Sequence, residues 1–255
     1  MTNQATGFIW YELMTADPEP AKDFYRRVVG WETEAFGEDG SYTILTAAGR
    51  GIGGVLEMPS EAREGGARPA WLGYVAVPDV DSAARGIEAV GGAIRRDMMD
   101  IPEVGRIAMV SDPQGAPFYL IAPSGEDQPP VPPMTPGHIG WHELYAVDGE
   151  AAFDFYARQF GWTQADALDM GPMGTYRIFA MGGEQAGGIM TKPAEMPRPF
   201  WLFYFIVGDI DEAQRRVEDA GGTVTEGPME VPGGAWIIQA RDPQGAMFAL
   251  VGSRG

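Results

Sequence analysis

The feature that most constrains this chain is that it repeats itself. Residues 10–31 and 141–162 agree at 12 of 22 positions when they are superposed with an offset of 131 residues. Residues 71–92 and 201–222 agree at 11 of 22 positions, in the same order along the chain. Matches that stay collinear over such lengths indicate a duplicated domain and not a short shared motif.

A proline-rich segment separates the two copies. Residues 123–136 contain six prolines, and proline fixes φ and favours extended chain, so this segment is typical of a semi-rigid linker. We therefore predict a first domain at 1–123, a linker at 124–136 and a second domain at 137–255.

Each copy contains a smaller pattern that occurs twice. An aromatic strand (Ile9–Thr15) is followed by Asp17-Pro18, which is typical of a helix start, and the helical spacing ends at Gly30. Further strands are predicted at Ser41–Ala47 and Ile52–Met58. The scheme recurs in the second half of each copy, where residues 209–212 have capping-box spacing. The sequence predicts an α+β protein of four βαβββ modules.

Charge and composition exclude several classes of protein. The net charge of −18 disfavours nucleic acid and anionic membranes as partners. The chain has no cysteine and only two histidines, His138 and His142, so disulfides, thiolate chemistry and sites rich in imidazole are unavailable. The N-terminal sequence does not have the pattern of a signal peptide, and no apolar run is long enough for a membrane span, so we expect a cytoplasmic protein.

A glycine pattern at residues 49–54 matches G-x-G-x-x-G, the dinucleotide fingerprint. That motif requires a helix to follow it, whereas here a strand follows, so we interpret it as a hairpin turn. The pentapeptide Asp-Pro-Gln-Gly-Ala at 112–116 and 242–246 has the composition of a tight turn before the last strand of each copy.

Both copies open with Trp-x-Glu-Leu, followed by the helix-start Asp, Phe-Tyr and Gly-Trp, and both end with the Asp-Pro-x-Gly turn. These motifs resemble the vicinal-oxygen-chelate superfamily, which includes glyoxalases, extradiol dioxygenases and bleomycin-binding resistance proteins. The resemblance implies two tandem glyoxalase-like domains, in which paired modules form an open barrel around the functional cavity. A tandem chain of this kind can be a monomer or a homodimer.

The resemblance also implies where metal ligands would stand. Metal-dependent members place them on the first and last strands of each module, and only one of the eight matching positions here, Glu57, carries a side chain that binds metal readily. We therefore expect no metal site and no cofactor, with a divalent metal as the less favoured alternative. The eight positions are Trp10, Glu57, Leu72, Tyr119, Trp141, Thr191, Leu202 and Ala249.

Strand alternation predicts an aromatic pocket with one carboxylate in each domain. Glu12 and Glu143 are the candidate catalytic residues: each is either a general base or ligand anchor with a raised pKa, or a structural carboxylate, and duplication does not separate these roles. The predicted ligand-binding residues are Trp10, Glu12, Leu72, Tyr74, Tyr119, Trp141, Glu143, Leu202 and Tyr204.

The favoured hypothesis is a metal-independent protein that binds a small aromatic or apolar molecule. The alternative is an enzyme of the glyoxalase or dioxygenase type, a lyase, isomerase or oxidoreductase, that uses a non-standard metal site or a glutamate base. Differences between the copies, such as Tyr119 against Ala249, indicate that the two cavities are not equivalent.

Overall fold

A computed structural model describes residues 6–37, 40–125 and 129–255 of the chain. The elements follow the predicted order four times, and each module consists of a strand, a helix and three further strands. We number the modules one to four along the chain.

The first two modules occupy the first half of the sequence. The first also contains a short extra helix, α2, after its last strand. Its elements are β1 (Phe8–Thr15), α1 (Pro18–Val28), β2 (Glu32–Phe36), β3 (Tyr42–Ala47), β4 (Arg50–Glu57) and α2 (Ser60–Glu64). The second module contains β5 (Ala70–Ala76), α3 (Val80–Ala89), β6 (Ala93–Ile101), β7 (Gly105–Ser111) and β8 (Pro117–Pro123).

The third and fourth modules repeat this arrangement. A 3-10 turn at Gly171–Met173 is the main addition to the third module. Its elements are β9 (Ile139–Ala146), α4 (Gly149–Phe160), β10 (Thr163–Asp169), β11 (Thr175–Met181) and β12 (Glu184–Thr191). The fourth contains β13 (Phe200–Asp209), α5 (Ile210–Asp219), β14 (Thr223–Glu230), β15 (Trp236–Arg241) and β16 (Met247–Ser253).

The strand order within a module is the same in all four. In the first module it is β2-β3-β4-β1, with β1 parallel to β4 and the other neighbours antiparallel. The corresponding orders are β6-β7-β8-β5, β10-β11-β12-β9 and β14-β15-β16-β13. The predicted α+β fold of four βαβββ modules is confirmed.

The chain folds as two compact units, and each unit takes one module from each half of the sequence. One unit contains modules one and four, and we call it the first–fourth unit. It combines Trp10–Trp71 with Pro130–Gly140 and Leu202–Gly255. The second–third unit combines Leu72–Pro129 with Trp141–Trp201 and the start of β1. Each unit has an aromatic core. In the first–fourth unit this core includes Tyr25, Trp31 and Phe205.

A buried hydrogen-bonded chain joins the two modules of the first–fourth unit. The Trp71 indole donates to the Tyr25 hydroxyl (2.8 Å), which in turn donates to the Asp242 carboxylate (3.3 Å). On the surface, the Gln244 side chain accepts from the backbone N–H of Asp17 (2.9 Å) and donates to its carbonyl (2.7 Å). The repeated Asp-Pro-Gln-Gly turn is therefore a clamp between modules as well as a turn.

The second–third unit contains the same clamp, built from the duplicate residues. The Trp201 indole donates to Tyr156 (3.1 Å), whose hydroxyl donates to Asp112 (3.2 Å). Gln114 accepts from the backbone N–H of Asp148 (2.7 Å) and donates to its carbonyl (2.8 Å). Burial raises the pKa of both Asp112 and Asp242, and burial likewise raises the pKa of both tyrosines.

The helix starts agree with the sequence in part. Asp209 accepts from the backbone N–H of Glu212, as the capping-box spacing predicts, and Asp148 caps α4 in the same way. Asp17 stands at the predicted N-cap position, but its side chain makes no capping hydrogen bond. An N-cap side chain bonds the N–H of the second or third helical residue, and here the third is Pro20, which has no N–H.

The glycine pattern at 49–54 begins in the predicted hairpin turn between β3 and β4 and continues along β4. Ala48 and Gly49 have φ of 50° and 76° in the turn, which is why a glycine is favoured there.

Candidate functional site

A partly buried polar cluster lies where β9, β11 and β12 meet, in the second–third unit. The Trp141 indole donates to the Tyr176 hydroxyl (2.7 Å), and the Glu143 carboxylate lies near enough to Tyr176 to affect the pKa of its hydroxyl. Glu143 is buried, while Trp141 and Tyr176 are half-buried. Burial and the Glu143 charge raise the pKa of the Tyr176 hydroxyl, so it stays protonated at neutral pH.

The first–fourth unit contains the corresponding residues of the first copy. The Trp10 indole donates to the Tyr42 hydroxyl at 2.9 Å. Glu12 is buried and lies two residues from Trp10 on β1, with Gly54 as its direct partner on β4. The indole–tyrosine hydrogen bond of the second copy is therefore repeated in the first.

Two glycines make room for the tyrosines of these clusters. A Cβ added at Gly54 would overlap the hydroxyl and ring of Tyr42, and one added at Gly188 would overlap Tyr176. Gly188 pairs with Glu143 as Gly54 pairs with Glu12. The residue without a side chain thus lets the tyrosine ring lie across the strand beside the carboxylate.

Tyr74 and Tyr119, both predicted as ligand-binding residues, are neighbours in the second module. They are direct partners on β5 and β8, and their rings stack with centroids 4.3 Å apart and an angle of 7° between their planes. Both are buried, as is the predicted residue Leu72 on the same strand as Tyr74.

The fourth module has a different arrangement at the matching place. Tyr204 pairs with Ala249 instead of a second tyrosine. Its hydroxyl accepts a hydrogen bond from the Gln239 side chain (3.0 Å), and Gln239 lies opposite Ala249 on β15. A stack of two aromatic rings in the second module is thus replaced by a hydrogen-bonded polar pair in the fourth. The remaining predicted ligand-binding residue, Leu202, is buried on β13.

Sequence reasoning did not include Tyr42, Tyr176 and Gln239 among the site residues. The matching positions of the two tyrosines in the two copies were the signal that could have identified them as site residues. Alternation alone does not settle which face a strand residue occupies when the strand contains a bulge. Such irregularities occur in the pairing of both β3 with β4 and β11 with β12.

The residues at the family's metal positions do not form a ligand set. Within the described part of the chain, no three His, Asp or Glu side chains stand close enough together to hold a metal ion. Glu57 is exposed and lies 3.5 Å from Arg63. His142 is buried, stacks on Phe8 and hydrogen-bonds the Ala186 carbonyl through Nδ1 (2.7 Å). Burial lowers the pKa of His142 to about 4.

A surface pocket of about 160 Å³ lies beside the first turn of α4 and includes none of the predicted site residues. The N–H groups at this helix start are already bonded, those of Glu150 and Ala151 to Asp148 and that of Gly149 to Thr191. The pocket therefore does not offer a set of open donors to an anion.

Comparison with known proteins gives the family. The model of the Glyoxalase/Bleomycin resistance protein/Dioxygenase superfamily matches the chain twice, at residues 7–120 and 136–250. The chain belongs to this superfamily and contains its domain in tandem.

Two kinds of relative match nearly the whole chain. "Putative glyoxylase CFP32" of Mycobacterium tuberculosis is 30% identical over 245 residues, which is 95% of this chain and 93% of that protein. "Anthracycline biosynthesis protein DnrV" of Streptomyces peucetius is 30% identical over 265 residues, which is 98% of this chain and 95% of that protein.

Solved structures share the fold at low sequence identity. The Mn(II)-bound glyoxalase from Novosphingobium aromaticivorans has a TM-score of 0.65 at 16% identity, covering 98% of this chain and 82% of that one. Homoprotocatechuate 2,3-dioxygenase from Brevibacterium fuscum, in complex with 3,4-dihydroxyphenylacetate, has a TM-score of 0.66 at 14% identity, covering 100% and 83%. Among the described residues of the present chain, none of the helices has the length and apolar character needed to cross a bilayer.

Proposed function

We propose that this protein binds a planar aromatic small molecule through its two Trp–Tyr–Glu clusters and does so without a metal ion. The observation that carries the proposal is the Trp141–Tyr176–Glu143 cluster, in which two half-buried aromatic side chains adjoin a buried carboxylate. Aromatic side chains supply a large contact area at low entropic cost, and a few placed polar groups supply orientation.

Two further observations support an aromatic ligand. The other predicted binding residues are mainly buried aromatics, including the stacked pair Tyr74 and Tyr119. One relative of similar length is named for anthracycline biosynthesis, and anthracyclines contain a fused aromatic ring system. The proposal includes a cytoplasmic location and a chain that acts as a monomer or homodimer.

Metal independence is supported by the chemistry of the residues at the metal positions. Indole, leucine and alanine side chains do not coordinate hard or borderline divalent ions. Of the two histidines, His142 has one ring nitrogen bonded to a backbone carbonyl and a pKa that reflects an apolar site.

The test uses untagged protein, because a polyhistidine tail would supply the imidazoles that the chain lacks. Its metal content is measured by elemental analysis, and binding of a fused-ring probe, 1,8-dihydroxyanthraquinone, is titrated by tryptophan fluorescence with and without a chelator. We expect less than a tenth of an equivalent of metal, and binding that the chelator does not change.

Replacement of the two site indoles provides the matched comparison. Trp10→Leu with Trp141→Leu should weaken probe binding about tenfold, or about 1.4 kcal/mol. Trp236→Leu is the control, because this half-buried indole packs under Arg254, 4.3 Å from its ring centroid. Stoichiometric metal whose removal abolishes binding would overturn the proposal, and so would equal effects of the site and control variants.

A further inference from the structure

The segments that lead into the first strand of each copy differ where the copies otherwise agree. We call residues 6–9, Thr-Gly-Phe-Ile, the first arm, and residues 137–140, Gly-His-Ile-Gly, the second arm. With the offset of 131 residues the two arms agree at no position, whereas residues 10–31 and 141–162 agree at 12 of 22. The duplicated halves have therefore diverged at their arms.

Each arm docks on the other half of the chain through the tryptophan of a Gly-Trp motif. The first arm belongs to the first half, and its Thr6 carbonyl accepts a hydrogen bond from the Trp162 indole of module three (2.8 Å). The second arm belongs to the second half, and its Gly137 carbonyl accepts the equivalent bond from Trp31 of module one (2.7 Å). The two halves thus exchange arms, with the same hydrogen bond at both docking places.

The docking place on module one requires a glycine. Gly137 has a φ of 81°, and a Cβ added there would lie 2.8 Å from the Cβ of Ala47. Carbon atoms in favourable contact are about 3.5–4.0 Å apart, and a positive φ is a strained conformation for a β-branched residue. The first arm has Thr6 at the matching position, so it does not fit the docking place on module one.

The docking place on module three excludes the second arm in a different way. A Cβ added at Gly7 would lie 3.2 Å from the sulfur of Met181, which stands where module one has Ala47. The second arm has His138 at the position of Gly7. Its imidazole would have to displace the methionine side chain, and overpacking of this kind is destabilising.

We infer that the two halves of this chain recognise each other selectively, so that the interaction surface of each half takes the opposite half and rejects a second copy of itself. Two first halves would bring Thr6 to the glycine position beside Ala47. Two second halves would bring His138 against Met181. The opposite half can belong to the same chain or to a second chain, and the inference does not depend on the ligand proposed above.

Substitutions in the full-length chain test the glycine requirement. Gly137→Ala should lower the midpoint of thermal unfolding by about 5 °C more than Gly161→Ala does. Gly161 is the matched control, because its φ of 71° is also positive but an added Cβ would meet no atom within 4 Å. In an Ala47→Gly background the extra loss should largely disappear, since the overlapped atom is gone. Equal losses at the two glycines, or an extra loss that persists in this background, would overturn the inference.

Selectivity is measured directly on the full chain after cleavage of a protease site inserted between Pro129 and Pro130. The cut protein is unfolded in urea and refolded by dilution, and native mass spectrometry counts the pairs of unlike and like halves. We expect unlike pairs to exceed either like pair by about tenfold or more.

Variants of Thr6 then identify the steric block. Thr6→Gly should raise the fraction of paired first halves by about fivefold or more, because it removes the side chain that would meet Ala47. Thr6→Ser is the control, since it retains a Cβ and a hydroxyl and should leave that fraction unchanged. A statistical mixture of wild-type pairs, a failure to form unlike pairs, or equal effects of the two variants would each contradict selective recognition.

Discussion

At the scale of single residues, burial determines which ionisable side chains have a shifted pKa. His142, one of the two histidines of the chain, illustrates this point, because it is a buried ring stacked on Phe8, with centroids 4.8 Å apart. Its place in the first copy is taken by Tyr11, another buried aromatic residue. The shared property of the two positions is therefore an aromatic ring in the core.

The lowered pKa of His142 predicts acid-linked destabilisation. In the unfolded chain the imidazole titrates near its usual value of 6.5, whereas in the folded protein it titrates at about 4. As pH falls from 6.5 to 4 the unfolded state binds the proton first, so the free energy of unfolding decreases, by about 3 kcal/mol over the whole range. Above pH 6.5 this contribution is fully present.

His142→Phe should remove that pH dependence while retaining the ring stack. Urea unfolding at pH 7 and pH 4.5 gives the free energy for both proteins, and the contributions of the carboxylates that they share cancel in the difference. At pH 7 the variant should be less stable than the wild type, because phenylalanine cannot make the hydrogen bond to the Ala186 carbonyl. The difference in the free energy of unfolding should shrink as the pH falls. A gap that does not change with pH would contradict a buried neutral imidazole.

At the scale of strands and helices, the sequence predicts the half-buried elements well and the exposed edge strands poorly. Sequence analysis located β1, β3 and β4 from their aromatic and apolar pattern but did not locate β2, although the module scheme required another strand. All but the last residue of β2 are exposed, and β10 is similarly exposed. Such strands carry little apolar alternation, and pairing with β3 or β11 supplies what their own sequences do not indicate.

Close packing of Tyr176 over Gly188 predicts a strong effect of one added methyl group. Gly188→Ala should destabilise the protein by about 1–3 kcal/mol, because the Cβ would overlap the tyrosine ring and force it away from Glu143. Gly208→Ala is the matched control, since a Cβ there would meet no atom within 4 Å. Thermal unfolding measures the loss of stability in both variants. Combining Tyr176→Ala with Gly188→Ala should remove most of the destabilisation that Gly188→Ala causes alone. Independent, additive effects of the two substitutions would contradict the contact.

At the scale of the whole molecule, the duplicated motifs act in packing as much as in function. The repeat itself predicts four modules, and the structure and family match confirm them. Sequence alone does not reveal that each compact unit takes modules from both halves of the chain. The reason is physical: Asp112-Pro113-Gln114 resembles an ordinary turn, and its role as a clamp depends on Asp148 and Tyr156, far away in the sequence.

This arrangement predicts that the two halves stay together when the linker is cut. Each half contributes to both units, through the Tyr25–Asp242 and Tyr156–Asp112 hydrogen bonds and the aromatic residues around them. We expect that a protease site inserted between Pro129 and Pro130 can be cleaved without separating the fragments, which should co-elute in size-exclusion chromatography at the position of the intact 27.5 kDa chain.

Weakening the clamps should then separate the fragments. Tyr25→Ala with Tyr156→Ala removes a buried ring from each unit, at about 3–5 kcal/mol each by comparison with other large-to-small aromatic substitutions. Before cleavage this variant should unfold at lower temperature, and after cleavage its fragments should elute apart or aggregate. If the cut wild-type protein already separates into two folded halves, each half holds its own core, and the modules of each compact unit contribute little to one another's stability.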